Sequence, residues 1–367
     1  MRAAKLCFEN QTLREIVHTS IGSGVVRVRL SNAYGREAVA IGATHIALRA
    51  HGSEVVPGSD RVVTFSGRAA VSIPPNALLL SDPVKLDVPA GGDVAVSIFL
   101  PKQTTGAGIH YSAEQTSYVG PGDTTGAASN PEAATITSWV FLTGLDVQAP
   151  EQASTLIAFG DSITDGAHST TDADHRWPDV LAGRLRAKRK QIGVLNAGIG
   201  GNRILNDAES NLTFGVNALA RFDRDVLAQA GVKYVIVLEG INDLGHAGTS
   251  APVSETVSAQ DLIAGLQQMI DRAHEKGIKI FGATLTPFKG TVFPGYFTPE
   301  KDAKRKAVNE WIRTGNAFDG VIDFEKAVED PKDPDQMLAA YDSCDHLHPN
   351  DAGYQAMGEA VDLAFFK

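Results

Sequence analysis

The chain is poor in cysteine, in positive charge and in long apolar runs. Its two cysteines, Cys7 and Cys344, are too few for a disulfide framework or a tetrahedral zinc site, which leaves one bridge or two free thiols. Acidic residues outnumber basic ones by 43 to 33, and this excess argues against nucleic acid or an anionic membrane as partner. No stretch approaches the roughly 20 consecutive apolar residues of a membrane span.

The remaining composition is typical of a soluble globular protein, with 43% hydrophobic and 21% charged residues. A length of 367 residues exceeds what one hydrophobic core usually holds, so we expect two domains. The opening stretch, "MRAAKLCFENQTL", carries basic residues but no apolar core segment, so no signal peptide is visible.

The first 148 residues have a sequence pattern typical of β-structure. In "VVRVRLSN", Val26, Val28 and Leu30 alternate with Arg27 and Arg29, the period-two pattern of a half-buried strand. Similar segments follow between Gly, Pro and Asp turns, and none has helical periodicity. We expect an antiparallel β-sandwich of jelly-roll type over residues 1–148 as an accessory domain, with a linker at 147–154.

From residue 155 onward, apolar strand candidates alternate with helical segments. Ser258 and Asp261 occupy the positions of a capping box at the start of one such helix. Strand–helix alternation predicts a parallel sheet with right-handed crossovers, and five strands suggest a flavodoxin-like α/β domain over residues 155–367. The five candidates are residues 155–159, 192–196, 233–239, 278–284 and 320–324.

Polar residues that could take part in catalysis lie directly after several of these strands and before the last helix. The stretches are "GDS" at 160–162, "NAGIGGN" at 196–202, "EGINDLG" at 239–245 and "DSCDHLHPNDAGY" at 342–354. In doubly wound sheets, ligands bind outside the carboxyl ends of the strands. Acyl transfer needs a nucleophile, a base, a group that orients the base, and donors for an oxyanion. We therefore predict that Ser162 is the nucleophile, that His348 is the base and that Asp345 orients the His348 imidazole.

Each stretch taken alone is also typical of an ordinary turn. We interpret Asp161 as a structural residue that bonds loop amides, and His346 as an exposed one. Asn202 and Arg203 follow the glycines and line either the substrate pocket or the solvated surface.

A metal-dependent hydrolase is the rival interpretation of one acidic stretch. Its candidate ligands lack a recognisable spacing and are better explained as loop and cap residues, so we predict that no metal is required. These candidates are Asp161, Asp165, His168 and Asp172.

Residues 155–367 resemble the GDSL, or SGNH, hydrolase family. The family has a Ser in a GDS block, a Gly, an Asn in a G-x-N-D block and a His in a D-x-x-H block, and all four occur here in order. The resemblance implies Ser162, Asp345 and His348 as catalytic residues. It also implies an oxyanion hole of the Ser162 N–H, the Gly201 N–H and the Asn242 side chain, with Gly200 as the alternative to Gly201. It implies no cofactor and no metal.

The front half resembles the N-terminal β-sandwich of a group of bacterial, mostly secreted GDSL esterases, through "QTLREIVHTSIGSGVVRVRLSNAYG" and "SAEQTSYVGPGD". Those relatives often act on acetylated carbohydrates and small esters. The resemblance therefore implies a secreted hydrolase of acetyl to butyryl esters, with a small-molecule or carbohydrate ester as substrate. Because no leader is visible, a cytoplasmic protein and a truncated chain are the alternatives to secretion. The functional alternatives are a thioesterase or lysophospholipase, and a catalytically dead carbohydrate-binding protein.

Overall fold

The computed structural model of the protein describes residues 6–106, 108–208 and 211–367. The chain divides into two units, Met1–Glu151 and Gln152–Lys367, and each has a hydrophobic core of its own. Residues 1–5, the first part of the stretch that was searched for a signal peptide, lie outside the described residues.

Antiparallel strands build the first unit, and the segment for which the sequence predicts alternating burial shows it. In the strand Ser23–Ser31, Val26, Val28 and Leu30 are fully buried, whereas the arginines between them are half-buried. The strands in chain order are β1 Cys7–Phe8, β2 Gln11–His18, β3 Ser23–Ser31, β4 Val39–Ile41, β5 Ala43–His51, β6 Glu54–Val55, β7 Arg61–Val62, β8 Val71–Ile73, β9 Leu78–Leu80, β10 Val84–Val88, β11 Asp93–Leu100, β12 Thr104–Thr105, β13 Ile109–His110, β14 Ser117–Pro121, β15 Ala134–Ile136, β16 Trp139–Val140 and β17 Leu142–Val147.

Two of the sheets in this unit share one core. The larger has the order β15-β14-β2-β11-β5-β6, with β7 also paired to β5. The smaller has the order β10-β3-β17, with β9 also paired to β3. Side chains from the larger sheet, such as Leu13 and Ile98, join Val28 and Leu86 from the smaller one in a single cluster. The predicted antiparallel β-sandwich is confirmed.

A parallel five-stranded sheet forms the centre of the second unit. The strand order β19-β18-β20-β21-β22 is the flavodoxin-like order 2-1-3-4-5, so the predicted α/β architecture is confirmed. An antiparallel pair, β23 with β24, follows it. The strands are β18 Ser154–Gly160, β19 Ile192–Gly198, β20 Val232–Leu238, β21 Lys279–Ala283, β22 Gly320–Ile322, β23 Glu329–Asp330 and β24 Asp333–Met337.

Helices cover this sheet, and the longest begins at the predicted capping box. Ser258 Oγ accepts from the Asp261 N–H, and the Asp261 carboxylate accepts from the Ser258 N–H. The α-helices are α1 Ser162–Asp165, α2 Trp177–Ala187, α3 Ala218–Phe222, α4 Ile241–His246, α5 Ala259–Glu275, α6 Pro299–Thr314, α7 Phe324–Val328 and α8 Asp351–Ala360. A π-helix spans Asp223–Leu227, and 3₁₀ turns span Leu212–Phe214, Val253–Glu255 and Leu363–Phe365. Within the described ranges, every helix is too short or too polar to cross a membrane.

Two helical glycines allow a matched test of this packing. An added methyl group at Gly183 in α2 meets no atom within 4 Å, whereas one at Gly265 in α5 lies 2.5 Å from Ile204 Cγ2. We expect Gly183→Ala to stabilise the second unit by up to about 1 kcal/mol through helix propensity. Gly265→Ala should destabilise it by about 1–3 kcal/mol through overpacking. Thermal unfolding of both variants measures the difference, and equal shifts would contradict the close approach at Gly265.

Candidate active site

The predicted nucleophile lies at the carboxyl edge of the parallel sheet. Strand β18 ends at Gly160, where an added Cβ would lie 2.4 Å from the Leu238 carbonyl oxygen of β20. Asp161 caps α1, and its Oδ1 accepts from the Ile163 N–H at 2.9 Å. Ser162 is thus the first residue of a short buried helix, and Asp161 has the structural role that we interpreted from the sequence.

A chain of hydrogen bonds joins Ser162 to two residues from the loop before α8. Ser162 Oγ is 2.8 Å from His348 Nε2, and His348 Nδ1 is 2.6 Å from Asp345 Oδ2. The second carboxylate oxygen of Asp345 accepts from the backbone N–H groups of Leu347 and His348. The structure therefore brings the three predicted residues together with the spacing that proton transfer requires.

Asp345 is held in its charged form. Burial acts to raise its pKa, but hydrogen bonds from His348, the charge of His348 and the two backbone N–H groups outweigh burial. The net effect lowers the pKa of Asp345 below its ordinary value. At neutral pH a carboxylate therefore faces Nδ1, so that the imidazole carries its proton there and presents Nε2 as an acceptor to Ser162.

The loop that carries these two residues is organised by Asp342. Its Oδ1 accepts from the N–H groups of Cys344 and His346, which have φ values of 76° and 58°. The His346 ring pairs with Asp342 Oδ2 and is half exposed, outside the Ser162–His348–Asp345 chain. Cys344 and Cys7 are both free thiols.

A second histidine approaches Asp345 from the solvent side. His168 Nε2 lies 3.3 Å from Asp345 Oδ2, and its ring centroid is 5.4 Å from that of His348. One ligand atom from each of these three residues falls within a 4.8 Å group, so the arrangement could offer ligands to a metal ion. An ion there would compete for the carboxylate and imidazole that are linked to Ser162.

Possible oxyanion donors flank the nucleophile on both sides. Strand β18 lies between β19 and β20, so the loops after these strands meet beside Ser162. Asn242, the second residue of α4, is buried, and its Nδ2 has no protein hydrogen-bond partner among the described residues. Gly201 follows β19 with φ 75°, and an added Cβ would lie 2.3 Å from the Phe214 ring. An added Cβ at Gly200 would lie 4.0 Å from Ser162 Cβ.

Asn202 and Arg203, expected either at the substrate pocket or at the solvated surface, point into the protein. Asn202 is 1% exposed, and its Nδ2 donates to two backbone carbonyl oxygens while its Oδ1 accepts from Arg221. Arg203 is 3% exposed and pairs with Glu255. Both side chains support the loop after Gly201: the amide of Asn202 and the two Nη atoms of Arg203 bond neighbouring segments, whereas Arg203 Nε has no partner among the described residues.

A fully buried arginine ties the strand ends together beneath Ser162. Arg221 donates from Nη2 to the Gly160 carbonyl oxygen, from Nη1 to that of Ala197, and from Nε to Asn202 Oδ1. Its guanidinium lies 4.0 Å from the centroid of the Phe159 ring. The ends of β18 and β19 and the glycine loop therefore share one anchor.

Three further carboxyl groups are buried around this anchor. Burial raises the pKa of Asp161 to about 6 and that of Asp243 to about 7. Burial, together with the charge of Asp161, raises the pKa of Glu239 well above its ordinary value, although Arg221 Nη2 lies 3.6 Å from Glu239 Oε1. Both effects favour the neutral form of the Glu239 carboxyl group over its charged form.

Comparison with known proteins identifies the family of this chain. The model of the GDSL-like lipase/acylhydrolase family matches residues 158–356. The chain belongs to this family. The match begins within β18 and covers the other four parallel strands and all three members of the Ser162–His348–Asp345 chain.

Individual relatives of this GDSL-family chain are distant. A Bacillus subtilis (strain 168) protein named uncharacterized lipoprotein YqeF is 30% identical over 135 residues, which are 36% of this chain and 48% of that protein. The chain thus spans about half the length of this curated relative. An aryl esterase of M. smegmatis is similar in structure at 17% identity and TM-score 0.45, covering 57% of this chain and 96% of that one. An acetyl-xylooligosaccharide esterase of Geobacillus is similar at 21% identity and TM-score 0.42, covering 57% and 93%.

Sequence reasoning missed three residues of the site. Arg221 and Glu239 lie beneath Ser162, and Tyr296 donates to Asn242 Oδ1 at 2.7 Å. Glu239 had a detectable signal, because it is a carboxylate directly after an apolar strand. Tyr296 had none, since it lies in an aromatic loop 54 positions from its partner.

Replacement of Glu239 by its neutral isostere should change how stability depends on pH. A carboxyl group with a raised folded-state pKa loses its contribution to stability as pH rises above its unfolded pKa, because only the unfolded state then releases the proton. We expect the melting temperature of Glu239→Gln to fall less than that of the wild type between pH 5 and pH 8. Glu275→Gln, at an exposed position of α5, is the control and should follow the wild type. Identical pH slopes for all three proteins would contradict a raised pKa of Glu239 in the folded state.

Proposed function

We propose that this member of the acylhydrolase family is a serine esterase that cleaves short-acyl carboxylic esters through an acyl-enzyme on Ser162. The observation that carries the proposal is the unbroken hydrogen-bond chain from Ser162 Oγ through His348 to Asp345. A serine hydroxyl is a weak nucleophile without a base in hydrogen-bond reach, and here the base is itself oriented by a carboxylate.

In the acylation step, Ser162 Oγ attacks the ester carbonyl carbon while His348 Nε2 takes its proton. The charge of Asp345 stabilises the imidazolium that forms. Collapse of the tetrahedral intermediate breaks the ester C–O bond, and His348 returns the proton to the departing alcohol. Water then attacks the acyl-enzyme with His348 again as base, which releases the carboxylic acid and restores Ser162.

Charge on the carbonyl oxygen of the intermediate needs donors that are free before substrate arrives. The Asn242 Nδ2 group fits this role because it is buried without a protein partner among the described residues. The N–H groups of Ser162 and Gly201, on the adjoining loops, complete the proposed oxyanion hole. Donors that are already in place stabilise the transition state without reorganisation.

The side chains near these donors favour a small acyl group. The Phe214 ring packs against Gly201 and stacks on the His246 ring, with 5.2 Å between their centroids. The Tyr296 ring contacts the His246 ring in turn, with 5.7 Å between their centroids. The connection at 247–257 consists mostly of small and polar residues, with Val253 and Val257 as its larger apolar side chains. A long acyl chain needs an extended apolar groove, since each buried methylene contributes about 0.8 kcal/mol. We therefore propose acetyl to butyryl esters, including acetylated carbohydrates, as the substrate class.

Removal of either Ser162 or His348 should abolish hydrolysis. Ser162→Ala and His348→Ala should each leave esterase activity near background, and the double variant should be scarcely worse, because the two residues act as a unit. His274→Ala is the matched control, since this exposed histidine near the end of α5 pairs with Asp319, and the variant should leave activity near the wild-type level. Hydrolysis of a chromogenic acetyl ester and labelling by an organophosphonate measure the effect. An unlabelled wild type would favour the catalytically dead binding protein.

A panel of esters that differ only in acyl length tests the proposed substrate class. We expect kcat/KM to be highest for acetyl to butyryl esters and to fall steeply through octanoyl to palmitoyl. The same panel on the Ser162→Ala variant gives the background hydrolysis of each ester. A kcat/KM that rises with chain length would contradict the proposal and favour a lipase.

A further inference from the structure

We propose that Tyr296 is a positioning residue that fixes the Asn242 amide as an oxyanion donor, an inference that rests on the proposed ester hydrolysis. Tyr296 Oη donates to Asn242 Oδ1 at 2.7 Å. Because the amide is planar, a donor on its oxygen directs the NH₂ group to the opposite side. That NH₂ group is the buried, unpartnered one beside the nucleophile loop.

The two orientations of the amide have opposite effects on an oxyanion. Rotation by half a turn would replace the N–H donor with a carbonyl oxygen, which repels negative charge. Nothing among the described residues binds Asn242 Nδ2, so the nitrogen side of the amide does not select the orientation. The hydrogen bond from Tyr296 to Oδ1 favours this orientation. In the flipped amide Nδ2 could donate to Tyr296 Oη, but the buried phenol proton would then lose Asn242 Oδ1, its acceptor among the described residues.

The Tyr296 ring is itself held by its neighbours. It is 4% exposed, and edge-to-face or tilted contacts place the rings of Phe288, His246 and Phe293 at centroid distances of 6.0, 5.7 and 6.0 Å. A ring surrounded on several sides cannot leave its rotamer without displacing the others. Its hydroxyl therefore stays aimed at α4.

Helix α4 is shaped to receive this ring. An added Cβ at Gly245 would lie 2.0 Å from Tyr296 Cζ, so the ring occupies the space that any other residue would fill. Lys301 Nζ donates to the carbonyl oxygens of Gly245 and Gly295, which joins α4 to the turn that carries Tyr296. Asn242 and its partner are thus fixed relative to each other by contacts outside the reacting atoms.

The hydroxyl also remains a donor across the working pH range. Burial raises the pKa of Tyr296 well above its ordinary value, and the negative charges of Asp161 and Asp243 act in the same direction. A phenol that does not ionise keeps its proton for Asn242 Oδ1.

Tyr296→Phe removes the hydroxyl and keeps the ring. We expect kcat on an acetyl ester to fall about tenfold, less than the loss of an entire oxyanion donor, with KM unchanged because the amide acts in the transition state. Tyr234→Phe is the matched control: it also removes a buried hydroxyl with a 2.7 Å bond, here to the Lys367 carbonyl oxygen, at the start of β20. Equal kinetics for the two variants would overturn the proposal.

A double-mutant cycle separates positioning from general stabilisation. Asn242→Ala should lower kcat by roughly 10²–10³, as for a lost oxyanion donor. In that background Tyr296→Phe should cause no further loss, because no amide remains to be oriented. A further tenfold loss in the double variant would show that Tyr296 acts independently of Asn242, and would overturn the proposal.

A second pair of variants controls for any change in ring packing that Tyr296→Phe causes. With 4-aminophenylalanine at position 296 a donor is restored, and kcat should return to near the wild-type value. With 4-fluorophenylalanine, which is of similar size but has no donor, it should stay low. Equal kcat for this pair would overturn the positioning role.

Phosphonate labelling of wild-type Ser162 tests the proposed function separately: failure to label overturns that function, whereas labelling with unchanged Tyr296→Phe kinetics overturns only this inference.

Discussion

The buried guanidinium of Arg221 is the interaction on which the rest of the site depends. Parallel strands expose their last carbonyl oxygens at the edge where ligands bind, and these oxygens need donors when water is excluded. Arg221 supplies donors to Gly160, to Ala197 and to the Asn202 side chain at once. The nucleophile loop and the glycine loop therefore hold a fixed separation, and an oxyanion hole made from both loops can exist before substrate binds.

Two carboxyl groups near this buried cation have raised pKa values in spite of its positive charge. The charge of Arg221 acts to lower the pKa values of Glu239 and Asp161. Burial acts to raise them and has the larger effect, so both pKa values rise. Asp345 is also largely buried, yet its pKa falls, because three hydrogen bonds to His348 and Leu347 favour its charged form. Less complete burial, three hydrogen bonds and the charge of His348 together distinguish Asp345 from the carboxyl groups with raised pKa values.

Much of this architecture could be predicted from the sequence because the signals were local. The alternation around Val26–Leu30 and the cap at Ser258 depend on residues a few positions apart, and both predictions are confirmed. The direction of Asn202 could not be predicted, since a polar side chain after a glycine turns outward or inward according to what lies beneath it. That partner, Arg221, is 19 positions away. The role of Tyr296 could not be predicted for the same reason, because only the folded chain places it against α4.

Ser162 and His348 are 186 positions apart, and the histidine follows the last strand of the sheet. A chain emerging from the ribosome presents the serine early and the imidazole late. All five parallel strands can be in place while the serine still has no partner able to take its proton. Under the proposed mechanism, Ser162 therefore stays inert until the loop at 342–350 closes on it, and the onset of hydrolysis would report that the second unit has finished folding.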